Sequence, residues 1–348
     1  MKVSLDLSIG KKFVGKSFGK PVTQDDYGEI VFQTGMVGYP ESLTDPSYLN
    51  QILVLTYPLI GNYGIGEPEY DKYGIDKIFE SNNIHIKALV VGEYNPKYSH
   101  WRGKKSLGDW LNEKGIIGIS GVDTRELVKI IRENKNVVGK ISNNLDNNNS
   151  YFEKTIDNCV QNTNAMNVSL KLDLFGKSNS LNKVTINENT DLLNILVIDC
   201  GIKNSQLRGL LKHNIQLTVV NTNYNFLDEV LESKYNGIFI SNGPGDPRTS
   251  NFVVEQLKKI FELELNIPIF GICYGHQLIG LASSSKIGKM TYGNRGHNIP
   301  CNLVGTQKCY ITSQNHGYEV LLDKKNSYWK ELFVNSNDGS NEGLIHKT

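Results

Sequence analysis

One cysteine in the second half of the chain has the sequence context of a nucleophile. Cys273 lies between Gly271 and Gly275 in the run Gly-Ile-Cys-Tyr-Gly, a G-x-S-x-G pattern with sulfur in place of oxygen. In this pattern a strand turns sharply into a helix, and a Cβ at either glycine would clash with the closely approaching backbone. The N-terminus of the helix favours a thiolate over a thiol. We therefore interpret Cys273 as a nucleophile; the alternative is a buried small hydrophobic residue, as most free cysteines are.

A glycine-rich loop before the cysteine could stabilise the anion that such a nucleophile creates. Attack of a thiolate on an amide carbonyl produces an oxyanion, which needs hydrogen-bond donors already aimed at it. Gly243 and Gly245, within Ser-Asn-Gly-Pro-Gly-Asp-Pro at 241–247, could present backbone N–H groups without obstruction by side chains. The N–H of Tyr274, directly after the nucleophile, would be the other donor. The alternative for this loop is a tight turn between a strand and a helix.

Three histidines are candidates for the general base that a cysteine nucleophile needs. His276 begins the helix after the cysteine and is poorly placed to reach back to the sulfur, so it could instead have a packing role. His316 lies in a predicted polar loop, 314–318, and is the strongest local candidate, whereas His346 ends a strand-like run near the C-terminus. The sequence offers no obvious group to orient any of them. Gln277, one helical turn after the cysteine, could bind a polar substrate.

The cysteine and the Gly-Pro-Gly loop lie in the half of the chain that alternates apolar strands with helices. Strands are predicted at 194–199, 217–220, 237–240 and 268–272, and helices at 205–212, 227–231 and 252–263. This alternation indicates an α/β fold with a doubly wound, mostly parallel sheet. Such sheets bind ligands at the carboxyl ends of their strands, where the loop and the cysteine both fall.

The first half of the chain is predicted to form a smaller, strand-rich α+β domain. Residues 3–9 alternate apolar with polar side chains, 29–60 contain two strand-like runs around a turn, and 86–92 form an apolar run. Helices are predicted at 106–113 and 124–133, the second with a clear apolar face.

Residues 10–17 formally match the phosphate-binding pattern G-x-x-x-x-G-K-[ST]. A true P-loop opens a helix, because the helix N-terminus holds the phosphates. Here Pro21 and Gly28 follow, and no apolar period of 3.6 residues is present. We therefore predict a β-hairpin and not a nucleotide site.

Length, charge and cysteine use limit the class of protein. The 348 residues indicate two domains, 1–142 and 192–348, joined by a polar linker at 143–191. The net charge of +1 argues against a nucleic-acid surface, and no apolar run is long enough to span a membrane. Five cysteines without a C-x-x-C pair and a polar N-terminus argue against a disulfide framework, a zinc site and a secretion signal. We expect a soluble, cytoplasmic protein.

Several motifs resemble a known family. Gly-Ile-Cys-Tyr-Gly-His-Gln, Ser-Asn-Gly-Pro-Gly-Asp-Pro and Ser-Gln-Asn-His-Gly resemble class I glutamine amidotransferases. Gly-Tyr-Pro-Glu-Ser-Leu-Thr-Asp-Pro-Ser-Tyr and Gly-Val-Asp-Thr-Arg-Glu-Leu, in the first half, resemble the small chain of glutamine-hydrolysing carbamoyl phosphate synthetase. The runs at 292–301 and 337–343 look most like the eukaryotic pyrimidine-pathway type, in which this region is fused ahead of the synthetase. The resemblance covers nearly the whole chain except 143–191.

The resemblance implies a reaction and a set of contacts. Cys273 would attack the side-chain amide of L-glutamine, giving a glutamyl thioester and ammonia. A synthetase, as a large chain or a fused domain, would use the ammonia with bicarbonate, ATP and Mg to make carbamoyl phosphate for pyrimidine or arginine synthesis. This region itself would hold no cofactor and no metal. By matching motif, the glutamine contacts would be Ser47, Gly243, Gly245, Tyr274, Gln277, Asn315, Gly317 and Tyr318.

Two departures from the family pattern affect these expectations. Tyr274 stands where the family usually has leucine, which should be tolerated because only the backbone contacts the oxyanion. The family's general base and its orienting glutamate lie in a His-Pro-Glu run beyond the position of Thr348, where this sequence ends. We therefore expect the 348 residues alone to be nearly inactive, whereas the protein with both residues would be a competent glutaminase.

Two other functions fit parts of the pattern. A non-catalytic module could bind glutamine and dock on a synthetase without turnover, which is consistent with the missing histidine and glutamate but not with an intact Cys273. An amidotransferase could also supply ammonia to a different enzyme, such as an anthranilate-type synthase. The long leading domain with its Thr-Asp-Pro-Ser run argues against that enzyme.

Overall fold

The structure is a computed structural model that describes residues 1–145, 183–323 and 328–347. In this part of the chain there are two units. The first comprises residues 1–69 and 76–145, and the second comprises residues 70–75, 183–323 and 328–347.

The short segment 70–75 belongs to the second unit, although it comes from the first half of the sequence. Its Ile75 side chain is fully buried in the same apolar core as Val197 and Leu217. Most of the predicted linker, 143–191, lies outside the described residues, so the predicted domain limits stay a prediction.

The first unit contains a closed barrel of seven strands. They are β1 (Lys2–Leu7), β2 (Lys12–Gly19), β3 (Asp26–Gln33), β4 (Ile52–Ile60), β5 (Ala88–Tyr94), β6 (Ile117–Ser120) and β7 (Val138–Ser142). Their order around the barrel is β1-β2-β6-β5-β4-β3-β7, with parallel pairing from β3 to β6 and antiparallel pairing elsewhere. A strand-rich first domain is thus confirmed, whereas closure of the barrel was not predicted.

The string that matches a phosphate-binding loop forms a turn and a strand. β1 and β2 are antiparallel, with Lys2 opposite Lys16 and Asp6 opposite Lys12. Gly10 lies in the turn between them with a left-handed φ of 84°. This pairing confirms the predicted β-hairpin.

Helices α1 (Tyr39–Leu43), α2 (Leu107–Glu113) and α3 (Thr124–Glu133) belong to the first unit. Both predicted helices, α2 and α3, are confirmed, and each begins at a side-chain cap. Ser106 Oγ accepts a hydrogen bond from the Asp109 N–H at 3.0 Å, and the Asp123 carboxylate accepts one from the Glu126 N–H at 2.9 Å.

The second unit is built on a five-stranded sheet with helices on both faces. Its strands are β8 (Lys183–Ile186), β9 (Asn194–Asp199), β10 (Gln216–Asn221), β11 (Gly237–Ile240) and β12 (Ile269–Gly271). The order is β12-β11-β9-β10-β8; the first four are parallel and only β8 is antiparallel to its neighbour. This confirms the predicted doubly wound, mostly parallel sheet.

The helices of this sheet divide between two apolar cores. They are α4 (Asn204–Leu211), α5 (Leu227–Leu231), α6 (Asn251–Glu262) and α7 (Tyr274–Ala282). Leu207 and Leu211 of α4 are buried with Phe239, on one face of the sheet. The other three helices bury their apolar residues with Ile238 and Ile240, on the opposite face. Alternate residues of β11 thus pack into the two cores, as expected of a strand covered by helices on both sides.

The end of the second unit corrects one prediction. Residues 314–318 were expected to form a polar loop, but they are part of a long strand in a second, antiparallel sheet. Its strands are β13 (Lys286–Leu303), β14 (Cys309–Leu321), β15 (Trp329–Asn335) and β16 (Asn341–His346), in the order β14-β13-β15-β16. Asn315 pairs with Arg295 and His316 with Asn294. Two polar side chains of β14 have partners on other strands of this sheet: Gln314 bonds to Cys301, and His316 pairs with Glu342.

In the part of the chain that the structure describes, none of the helices has the length and apolar character needed to cross a membrane.

Candidate active site

The predicted elbow around the cysteine is confirmed by the backbone. β12 ends at Gly271 and α7 begins at Tyr274, so that Cys273 caps the helix with φ 54° and ψ −104°. A non-glycine residue with positive φ at such a ψ is strained, and strain of this kind clusters at functional sites. The surrounding packing must therefore hold the cysteine in this conformation.

The two flanking glycines are required by close backbone contacts. A Cβ on Gly271 would lie 2.5 Å from the carbonyl carbon of Gly275, and a Cβ on Gly275 would lie 2.2 Å from the carbonyl oxygen of Ile240. Neither backbone atom can move away independently, since one is in α7 and the other ends β11. The sharp turn from strand to helix thus depends on both glycines, as the sequence predicts.

The thiol of Cys273 is partly exposed and lies beside β14. Its sulfur donates to the backbone carbonyl oxygen of Asn315 at 3.5 Å. The Cys273 carbonyl oxygen accepts the first hydrogen bond of the helix, from the Gln277 N–H at 3.0 Å. The sulfur therefore stands at the N-terminus of α7, next to the residues predicted to contact glutamine.

The Gly-Pro-Gly loop follows β11, and β11 is the parallel neighbour of β12. The loop and the elbow therefore leave the sheet at the same edge, the carboxyl ends of the strands. A Cβ on Gly243 would lie 2.3 Å from the carbonyl oxygen of Cys200, so the loop backbone packs closely on the end of β9. Gly245 has a left-handed φ of 84° that other residues adopt with strain.

The other predicted glutamine contacts of the second unit lie on α7 and β14. The Gln277 side-chain amide donates to the Tyr318 carbonyl oxygen at 2.8 Å, which joins the helix to the strand. Asn315 Nδ2 is buried and has no hydrogen-bond partner among the described residues. Gly317 adjoins Arg295: a Cβ there would be 3.1 Å from the guanidinium. An unsatisfied buried amide is costly, so Asn315 is suited to a polar ligand.

Ser47 belongs to the first unit, in the short 3₁₀ turn Pro46–Tyr48. Its backbone N–H donates to the Asp45 carboxylate at 2.9 Å, which caps this turn. Asp45, and not Ser47, therefore caps this turn. A contact of Ser47 with glutamine stays a prediction.

The three candidate bases have different surroundings. Burial lowers the pKa of His276 to about 4, and its Nε2 has no hydrogen-bond partner in the described part of the chain. His346 packs against Tyr328 and Trp329, with ring centroids 6.0 and 5.0 Å away. A pKa this low makes His276 a weak proton acceptor near neutral pH, which argues against it as the general base. A base role for His346 stays a prediction.

His316 has a carboxylate partner that sequence reasoning missed. Its Nε2 lies 3.1 Å from Glu342 Oε2 and 3.1 Å from Gln314 Oε1, and its Nδ1 lies 2.9 Å from the Tyr318 carbonyl oxygen. All three partners accept hydrogen bonds, so the doubly protonated ring satisfies them best. Burial alone would lower the pKa of His316, but the Glu342 carboxylate outweighs it and raises the pKa. A protonated histidine paired in this way is a poor base, which argues against the role proposed for His316.

We expect Glu342→Gln to destabilise the protein in a pH-dependent way. A histidine with a raised pKa contributes stability fully below its unfolded pKa of about 6.5, and the contribution disappears as pH rises through the folded pKa. The variant should therefore lose about 1–3 kcal/mol at pH 5.5 and less at pH 9. Denaturant unfolding at both pH values measures this difference. An equal loss at both would show that the charge on His316 is not involved.

The chain matches two known protein families. Residues 5–141 match the carbamoyl-phosphate synthase small chain, CPSase domain, and residues 196–348 match glutamine amidotransferase class-I. The arginine-specific carbamoyl phosphate synthase small chain of Aspergillus niger is 42% identical, over 100% of this chain and 73% of that protein. Among solved structures, a glutamine amidotransferase from Thermotoga maritima has a TM-score of 0.35 at 16% identity, covering 44% of this chain and 71% of its own.

A much longer relative also matches. Multifunctional protein CAD of Squalus acanthias is 45% identical over 350 residues, which cover 99% of this chain but only 14% of that protein. The chain thus spans about a seventh of the length of this relative. The resemblance noted in the sequence is confirmed: the chain belongs to the family of carbamoyl-phosphate synthase small chains, with the class I glutamine amidotransferase domain of that family in its second half.

Proposed function

We propose that this chain is the glutaminase component of a carbamoyl phosphate synthetase. The observation that carries the proposal is the strained Cys273 at the start of α7, at the same sheet edge as the Gly243–Gly245 loop. Family membership gives the chemical context for that nucleophile. Glutamine is the substrate, and the released ammonia passes to a synthetase, either a separate large chain or a fused domain.

In the proposed reaction the Cys273 thiolate attacks the side-chain carbonyl carbon of glutamine and forms a C–S bond. The carbonyl oxygen becomes an oxyanion, which the N–H of Tyr274 and the backbone of the Gly243–Gly245 loop stabilise. The C–N bond then breaks, and the nitrogen takes a proton and leaves as ammonia. Water hydrolyses the remaining thioester to glutamate and restores the thiol.

Recognition of the substrate is assigned to α7 and β14. Glutamine offers an amide, an α-amino group and a carboxylate. The sulfur contacts the backbone carbonyl oxygen of Asn315, and the polar groups proposed for recognition are the unsatisfied Asn315 amide and the Gln277 side chain, which bonds to Tyr318. We assign the proton transfers to the histidine of the His-Pro-Glu run that the family resemblance implies, with the glutamate as its orienting residue. ATP and Mg are assigned to the synthetase, and the cytoplasm is the proposed compartment.

Selective labelling of Cys273 tests this function. The complete protein that contains this chain would be treated with a glutamine-analogue electrophile, such as a chloroketone, with and without its synthetase and excess glutamine. We expect alkylation on the peptide containing Cys273, and protection by glutamine, because the substrate occupies the same site. The exposed Cys309 provides the control: Cys309→Ser should label as the unmodified protein does.

Two results would contradict the proposal. Labelling of Cys309 with no reaction at Cys273 would mean that the elbow sulfur is not the reactive thiol. Labelling and glutamine protection at Cys273 with no release of ammonia, even in the presence of the synthetase, would support the non-catalytic binding module instead.

A further inference from the structure

The side chain of Tyr274 makes contacts that the role of its backbone does not require. It is 1% exposed, although it directly follows the partly exposed nucleophile. Its hydroxyl donates to the Asp246 carbonyl oxygen at 3.2 Å and lies 2.9 Å from Ser250 Oγ and 3.4 Å from Thr249 Oγ1. A leucine at this position, as is usual in the family, could make none of these bonds.

All three partners of the hydroxyl lie in the segment that follows the Gly-Pro-Gly loop. Asp246 comes directly after Gly245, and its carboxylate caps the turn Pro247–Thr249 by accepting from the Arg248 N–H at 3.0 Å. The same carboxylate also pairs with the Arg248 guanidinium. The hydroxyl is therefore attached to a segment with its own internal bonds, and not to a loose loop.

This attachment joins the two groups of oxyanion donors. One donor in the proposed reaction is the N–H of Tyr274, and the others are in the Gly243–Gly245 loop. Donors for an oxyanion must be held within tenths of an ångström of their position, and loss of one such donor lowers turnover by about 10²–10³-fold. The buried Tyr274 hydroxyl bonds from the elbow to the segment after the loop. It therefore fixes the distance between the Tyr274 N–H and the donors of the loop.

Burial makes this arrangement persistent. Burial raises the pKa of the Tyr274 hydroxyl well above its ordinary value, so it remains a neutral donor. A buried hydroxyl without partners is costly, and here the three partners satisfy it.

We propose that the Tyr274 hydroxyl is a positioning group for oxyanion stabilisation, which aligns the elbow with the Gly-Pro-Gly loop through Asp246 and Ser250. This inference rests on the proposed glutaminase function. The backbone N–H of Tyr274 contacts the reacting atoms, whereas the hydroxyl acts only through the loop. The hydroxyl should therefore affect acyl transfer, which builds an oxyanion, more than reactions of the sulfur that build none.

Tyr274→Phe in the complete protein tests the inference, because it keeps the ring and removes only the hydroxyl. We expect kcat for glutamine hydrolysis to fall about 10–100-fold with KM within about twofold, because a misplaced donor weakens binding of the transition state only. Alkylation of Cys273 by iodoacetamide should stay within about twofold, since this displacement forms no oxyanion. Ser250→Ala should lower kcat less, and the double variant should not be additive.

Tyr235→Phe is the matched control. Tyr235 is also buried, and its hydroxyl bonds within the second unit to Glu229, a residue outside the proposed site. Tyr235→Phe should lose a charge-assisted hydrogen bond, which is stronger than those of Tyr274, and still keep kcat within about twofold.

Three outcomes would overturn the inference. If Tyr274→Phe keeps kcat, the hydroxyl has no positioning role although the unmodified protein is a glutaminase. If kcat and the iodoacetamide rate fall together, the hydroxyl merely supports the fold. If the unmodified protein does not hydrolyse glutamine, the proposed function fails and the inference fails with it.

Discussion

Cys273→Ser is expected to lower glutamine-dependent formation of carbamoyl phosphate by about 10⁴–10⁶-fold, the largest effect of any substitution in the chain. Serine has nearly the size of cysteine and can occupy the same elbow. Its hydroxyl, however, is a far weaker nucleophile than a thiolate at neutral pH, because its pKa is much higher. The fold and the binding of glutamine should persist, so the loss should fall on kcat.

Ammonia supplied in solution gives the internal control for this variant. The synthetase uses ammonia in the proposed scheme, and the substitution leaves the synthetase unchanged. Ammonia-dependent formation of carbamoyl phosphate should therefore stay within about twofold of the unmodified protein, as should both activities of Cys309→Ser. Glutamine-dependent activity that survives in Cys273→Ser would show that Cys273 is not the nucleophile.

Gly275→Ala should have the second-largest effect, on both stability and activity. The added Cβ would meet the carbonyl oxygen of Ile240 at 2.2 Å, and this oxygen belongs to the end of a central strand. Relief requires movement of α7 away from β11, which should cost about 3 kcal/mol or more. A displacement of the elbow by about 1 Å would also misplace Cys273, and we expect glutaminase activity to fall by about 10²-fold or more.

Gly209→Ala is the matched control for this substitution. Gly209 lies within α4, and a Cβ there would meet no atom within 4 Å. Alanine favours a helix over glycine, so this variant should be more stable by about 0.5–1 kcal/mol and retain its activity. Thermal or denaturant unfolding of both variants measures the contrast. Similar stability of Gly275→Ala and the unmodified protein would mean that the elbow is not closely packed.

The elbow and the parallel sheet could be predicted from the sequence because both depend on short-range patterns. Gly271, Cys273 and Gly275 lie within one turn, and the structure shows the backbone contacts that this spacing predicts. The apolar strands β9 to β12 alternate with helices along the chain, and helical crossovers of this kind join parallel strands. Features that depend on neighbouring residues can therefore be predicted from the sequence alone.

The features that were missed depend on pairings between distant parts of the chain. The polar segment around His316 resembles a loop by composition, and only its pairing with Asn294 and Arg295 makes it a strand. Glu342, the partner of His316, lies in the run 337–343, but the family likeness of that run does not indicate a pairing with a histidine. The sequence predicts only that tyrosine is tolerated at 274, because the family pattern concerns its backbone. The hydroxyl's partner Ser250 belongs to no motif and could not be predicted.

Direct detection of the acyl-enzyme tests the central claim, that Cys273 is the nucleophile for glutamine. The complete protein would be mixed with glutamine, quenched in acid within milliseconds and digested, and the peptide containing Cys273 would be analysed by mass spectrometry. The account predicts a γ-glutamyl thioester on this sulfur that forms before ammonia accumulates and is absent from Cys273→Ser. Turnover of glutamine with no acyl group on Cys273, or with the acyl group on another cysteine, would contradict it.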